Sequence, residues 1–283
     1  MKTSNHLLRR LTAALLAAVL ALSIALPVFA SDDGDTIYIN SVSDLLSLAR
    51  NCAYDQWSVG KTVILQKDLS LEGMLWEPIP SFSGQFKGNG HTISDLTITG
   101  QYSPAGLFGI VEEQGSIESL SVRGVVSVSD SADTTTGGIV GINHGTLINC
   151  QFTGVVTGDS EVGGIVGRNE SEGTIDHSTA RAIVTGKSST GGIAGYNLGA
   201  ITGCTNVGSI NTEYPEASLD TDGFTAKMVD YINNKMAAAD NDATNSVTNV
   251  ATDTGGIAGR SSGMILTSVN TGTIGYEHVG YNV

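Results

Sequence analysis

From Ala105 onward, short apolar stretches rich in Val, Ile and Leu alternate with glycines, and the alternation itself repeats. Gly137-Gly138-Ile139-Val140-Gly141 returns unchanged at 163–167 and as Gly-Gly-Ile-Ala-Gly at 191–195 and 255–259, with Ala105-Gly106-Leu107-Phe108-Gly109 as a degenerate first copy. The copies are 32, 26, 28 and 64 residues apart, and the last interval reads as one repeat carrying an insertion of about 37 residues. Alignment on Gly115, Gly145, Gly173, Gly199 and Gly263 produces columns of like residues. Two positions on stand Ile117, Leu147, Ile175, Ile201 and Ile265; five on stand Leu120, Cys150, Ser178, Cys204 and Ser268; eleven on stand Val126, Val156, Val184, Ile210 and Ile274.

Such columns are the signature of stacked coils, in which each side chain sits about 4.8 Å from its equivalent in the next turn of the chain. Glycine is expected at the corners, where the backbone takes positive φ or where chains crowd. A coil of 26 to 28 residues lacks the leucine ladder of a horseshoe and is too short for a propeller blade. The expectation is an all-β, right-handed parallel β-helix (solenoid) with three short strands per coil. Phe82 to Ile93, followed by Leu96, Ile98 and Gly100, reads as one earlier, irregular coil. Residues 43–51, with Leu45, Leu46 and Leu48 after Ser43-Asp44, read as a short N-terminal helix that covers the open end of the solenoid, whose strand edges would otherwise invite association. Within the insertion at 211–250, Phe224, Met228, Tyr231, Ile232 and Ala239 recur at helical spacing and predict a second amphipathic helix over 223–239 that lies on the side of the solenoid.

The first thirty residues follow a different pattern. Lys2, Arg9 and Arg10 precede an apolar run of about 16 residues, Leu11 to Leu26, and then Val28-Phe29-Ala30. This is the layout of a secretory signal peptide cut after Ala30, and the run is shorter than the roughly 20 residues needed to span a bilayer. The expected divisions are thus a signal peptide at 1–30, a cap and first irregular coil at 31–104, and repeat coils at 105–283. Cleavage leaves 11 basic against 28 acidic residues, a net charge of −17. That charge disfavours nucleic acid and anionic lipid as partners, and no membrane insertion is expected after cleavage. With 36 glycines and five prolines among 283 residues, without a strict three-residue period, helical bundles and collagen are also excluded.

At this point the chain resembles a known group. The glycine-apolar-apolar-glycine cores at 106–109, 138–141, 164–167, 192–195 and 256–259 are similar to the GLUG repeat, and Phe82 to Ile93 is similar to the stretch that precedes such repeats. The resemblance covers residues 36–283. It implies a large secreted or surface-attached bacterial protein, adhesin-like or akin to the non-catalytic N-terminal region of IgA-specific metallopeptidases. Val279 to Val283 stand where the next glycine pair is due, with no polar cap, so the sequence reads as the N-terminal part of a longer chain or as one whose end a partner covers.

Candidate chemistry is sparse. Cys150 and Cys204 share a column with Ser178 between them, which puts them about 9.6 Å apart, beyond the roughly 7 Å limit for a disulfide. No His-Glu-x-x-His helix and no Gly-x-Ser-x-Gly elbow occurs, and His91, His144, His177 and His278 have no triad-like companion in the pattern. Counting back from each glycine pair, Asp133 and Asp159 share a turn position, with Glu161 two residues along. Adjacent coils would hold those aspartates about 5 Å apart, a spacing suited to calcium or, less well, to a retaining glycosidase pair. The same position reads Lys187 and Ala251 in the next two coils, as in an ordinary solvated turn. Asp133, Asp159 and Glu161 are therefore the candidates for calcium or glycan binding, and no catalytic residue or other cofactor is assigned. Asn143, Asn169 and Asn197, with Ser261, form a further column expected to maintain the fold at a corner tolerant of left-handed backbone. The expected function is a non-catalytic extracellular scaffold or adhesion-type module that presents polar turns to a glycan or protein at the cell exterior. The alternatives are a carbohydrate-active β-helix using Asp133, Asp159 and Glu161, and the spacer of a secreted metallopeptidase whose catalytic part lies elsewhere.

Overall fold

The computed structural model describes residues 35–54, 56–128, 134–212 and 252–275. The signal peptide expected at 1–30, Asp133, the helix expected at 223–239, His278 and the last eight residues lie outside the described residues.

The repeats stack as a parallel β-helix. A complete coil visits four walls, as in Glu161–Gly163, Val166–Asn169, Thr174–Asp176 and Thr179–Thr185. The four resulting sheets, numbered I to IV in that order, hold four, six, eight and eight strands, with all pairings parallel. Four strands per coil replace the three expected from sequence, because the Gly-Gly-x-x-Gly stretch is not one strand. A strand of sheet I ends on the first glycine of the pair, the chain bends over two residues, and a strand of sheet II begins at the third, as at Gly137 and Val140.

The registers are those of the sequence columns. Ile117, Leu147, Ile175, Ile201 and Ile265 are consecutive partners in sheet III. Val126, Val156, Val184, Ile210 and Ile274 are consecutive partners in or beside sheet IV. Gly191 pairs with Gly255, so the 64-residue interval is one coil interrupted by the insertion. Upstream, Phe86 continues the sheet III column, as expected for an early coil. The sheet also extends further than the repeats reveal: Thr62–Leu65 pairs with Gln85–Lys87, and Thr36–Ile39 pairs in turn with Thr62–Leu65.

The described residues contain one helix, α1 (Val42–Asn51). Ser41 caps it, its hydroxyl accepting from the Asp44 N–H at 3.2 Å, and Asp44 returns the favour by accepting from the Asn40 N–H at 2.9 Å. Leu45 and Leu48 are buried on one face of α1, which packs on Thr36–Ile39 and Ile79–Phe82. Next to this cap the core is aromatic: Phe82, Phe86 and Phe108 meet edge to face or tilted, with centroids 5.4 to 6.3 Å apart. Further along, apart from Phe152, it narrows to columns of aliphatic side chains with Ala and Cys. At the other end the sixth coil is the last described: its Ile265 is 39% exposed, whereas Ile201 one coil earlier is fully buried.

The glycines serve crowding more than left-handed turns. A Cβ at Gly163 would fall 1.9 Å from the Val166 carbonyl oxygen, and the equivalent distances at Gly137, Gly191 and Gly255 are 2.0 to 2.1 Å. The left-handed corner between sheets III and IV is instead taken by Ser119, Asn149, His177, Gly203 and Thr267, only one of them glycine. Nor are Asn143, Asn169 and Asn197 left-handed, so the backbone tolerance expected of that column is not what selects asparagine there.

Candidate ligand-binding face

The chain passes from sheet IV back to sheet I at one edge, and that edge carries most of the length variation among coils. Among the described residues it includes Tyr102 to Pro104, Gly158 to Ser160 and Gly186-Lys187. Varied loops on a regular scaffold are where binding residues concentrate. Asp159 and Glu161 flank this edge, as the sequence suggested.

Their surroundings are ionic. Asp159, 13% exposed, pairs with the Lys187 ammonium of the next coil, and its backbone N–H donates to Thr134 Oγ1 at 2.8 Å. Glu161, 18% exposed, lies 3.4 Å from Arg168 Nη2 and accepts from the Thr135 hydroxyl at 3.1 Å. Arg168 Nε in turn stands 3.4 Å from Glu170 Oε1, an ion pair too poorly aligned to be a hydrogen bond. Lys187 thus complements the acid at the equivalent position one coil earlier. Among the described residues no three His, Cys, Asp or Glu side chains converge as a metal site would require.

The structure adds a feature that sequence reasoning missed. The residue after the last glycine of each motif forms an outward column on sheet II: Ile110, Ile142, Arg168, Tyr196 and Arg260. In its last three members the Tyr196 ring lies between two guanidinium groups, Arg168 at 5.2 Å and Arg260 at 5.5 Å from the ring centroid. Extending the sequence columns one position beyond each glycine reaches these residues. The column reads Ile, Ile, Arg, Tyr and Arg, however, so residue identity offers no consistent signal.

The other titratable candidates are structural. Histidine pairs with a neighbouring aspartate twice, His91 with Asp68 at 3.1 Å and His177 with Asp176 at 2.8 Å. The Thr92 backbone N–H and then His91 hold Asp68 below the usual carboxylate range. All three cysteines are free and buried. Burial pushes the Cys150 thiol up to about 12 and those of Cys52 and Cys204 to about 11, so none is a thiolate nucleophile at neutral pH. No helix among the described residues is long and apolar enough to cross a membrane.

Comparison with known proteins agrees with this architecture. The GLUG motif matches residues 158–185, the fourth coil from its turn to the end of its sheet IV strand. Halomucin of Haloquadratum walsbyi is 31% identical over 155 residues, which cover 50% of this chain and 2% of halomucin. A provisionally named Gly-rich membrane protein of Evansella cellulosilytica is 29% identical over 137 residues, 35% of this chain and 16% of that protein. The chain therefore spans a small part of these curated relatives. A solved structure from Bacteroides ovatus, provisionally described as an immunoglobulin A1 protease, superposes with a TM-score of 0.57 at 18% identity, covering 84% of this chain and 66% of that one. At that identity the likeness is one of fold. The chain thus carries a GLUG motif on a parallel β-solenoid, and the resemblance read from its glycines holds.

Proposed function

We propose that the chain is an exported, extracellular adhesion-type module: a stiff stack of coils that presents outward side chains to a glycan or protein partner and does no chemistry on it. The observation that carries this reading is the state of the carboxylates singled out for chemistry. Of the three, the two described, Asp159 and Glu161, are tied to Lys187 and Arg168. Retaining glycosidases need two carboxyl groups about 5 Å apart, one of them kept protonated. Each of these two acids is instead paired with a base of its own or the next coil. The N-terminal leader pattern and the membrane character given in the name of a relative support export.

Two measurements on the producing cell test the reading. The protein is expected in the medium or envelope with Ser31 at its N-terminus, and beads coated with it are expected to be retained on glycan- or protein-coated surfaces. A protein confined to the cytoplasm with its leader intact, or beads retained on no surface, contradicts it.

A further inference from the structure

The two arginines on either side of Tyr196 are not equivalent. Arg168 is neutralised by Glu161 and Glu170. Arg260 is exposed, lies against the opposite face of the ring, and among the described residues has no carboxylate within ion-pairing distance. Its coil-mate Asp253 occupies the place that Glu161 holds relative to Arg168, since both pairs are seven residues apart, but no pair forms there. A guanidinium stacked on an aromatic ring has already lost much of its side-chain freedom, so its remaining N–H donors bind a planar anion at a lower entropic cost. A carboxylate matches that fork in the bidentate geometry that makes such pairs strong.

We propose that Arg260, held against Tyr196, is a recognition point for the carboxylate groups of an acidic polysaccharide. The inference rests on the adhesion reading above and gives that face its ligand class. The acidity of the whole chain does not oppose it. Arg168, Arg260, Glu161 and Glu170 sum to zero charge, Lys187 with Asp159 adds none and Asp253 adds a single negative charge, so nearly all the excess acid lies elsewhere. At physiological salt, charges more than about 8 Å away are largely screened. A polymer is favoured over a free acid because sheet II is an extended, regular face along which a chain can lie.

The test is affinity electrophoresis of the mature protein in gels containing polygalacturonate, dextran sulfate, neutral dextran or poly-L-glutamate. Retardation by polygalacturonate is expected, stronger than by the other three. Arg260→Ala should weaken it about tenfold, Arg260→Lys several-fold through loss of the fork, and Tyr196→Ala by a comparable factor, whereas Tyr196→Phe should change little. Arg181→Ala, an exposed arginine on sheet IV, serves as the control and should bind as wild type. Each variant is first shown to melt as wild type, and Arg260→Lys keeps the test valid if Arg260→Ala misfolds. Unchanged binding in both Arg260 variants overturns the proposal, as does equal or greater retardation by dextran sulfate or poly-L-glutamate. A wild type that binds another surface but not polygalacturonate overturns this inference and leaves the adhesion reading standing. A polymer shortened during the run overturns the adhesion reading instead.

Discussion

Asparagine at the end of three of the six sheet II strands is a buried hydrogen-bonding device. Asn143 Nδ2 donates to Asn169 Oδ1 and Asn169 Nδ2 to Asn197 Oδ1, both at 2.8 Å, and Asn197 Nδ2 passes the chain to Ser261 Oγ at 3.1 Å. A second, shorter ladder runs from Asn206 to Asn270 at 2.7 Å. Buried amides are tolerated because every coil satisfies its neighbour, and removing one rung leaves partners without a bond. Asn169→Ala should therefore destabilise the solenoid by about 3 kcal/mol in urea unfolding, the sum of roughly two orphaned polar groups. Loss of less than about 1 kcal/mol would show that water replaces the rung. Gly163→Ala should cost a similar amount, about 3 kcal/mol, because its methyl would meet backbone atoms, the Val166 carbonyl oxygen at 1.9 Å, the Gly195 nitrogen at 2.7 Å and the Ala194 Cα at 2.9 Å. The buried cysteines give a third expectation. Their thiols should ignore a water-soluble disulfide reagent in the folded protein at neutral pH and react together on unfolding, and fast labelling of Cys150 or Cys204 in the native state would contradict the packing.

At the level of elements, α1 closes the end of the stack that would otherwise expose inward-facing side chains. Its cap depends on ionised Asp44, whose carboxyl is held low first by the Asn40 N–H and then by the Ser41 hydroxyl. The folded-state pKa lies below the unfolded one, so the stabilisation is present above the unfolded pKa and vanishes as pH falls through the folded value. Asp44→Asn should thus lower the melting temperature at pH 7, with the gap to wild type closing below about pH 4; a gap that persists in acid would contradict the assignment. The same elements show what the sequence could reveal. The columns through Ile175 and Val184 were legible because equivalent positions hold one residue type and glycine marks their spacing. Thr62–Leu65 carries no such mark and was missed, although its strand stacks as regularly as the rest. The fourth wall was hidden because a bend at Gly138-Ile139 leaves no polar interval between two strands. The Arg168, Tyr196 and Arg260 cluster was illegible for the opposite reason: outward residues keep no one type along the column, and only stacking makes neighbours of residues 28 and 64 apart.

For the whole molecule, stacking separates two tasks. Inward columns of Val, Ile, Leu and asparagine repeat and hold the coils together, whereas the outward columns and the edge between sheets IV and I vary and are available for recognition. This division suits display: side chains at fixed intervals on a rigid face lose little freedom when they bind. Two of the three carboxylates considered for chemistry, Asp159 and Glu161, are each paired with a base. The most direct test is one incubation of the mature protein with acidic and neutral polysaccharides, in which bound polymer and newly formed reducing ends are measured in the same sample. The account predicts polymer retained on the protein with no new ends above the buffer control. New reducing ends that rise with time and disappear in Asp159→Asn or Glu161→Gln would contradict it and make the same coils an enzyme.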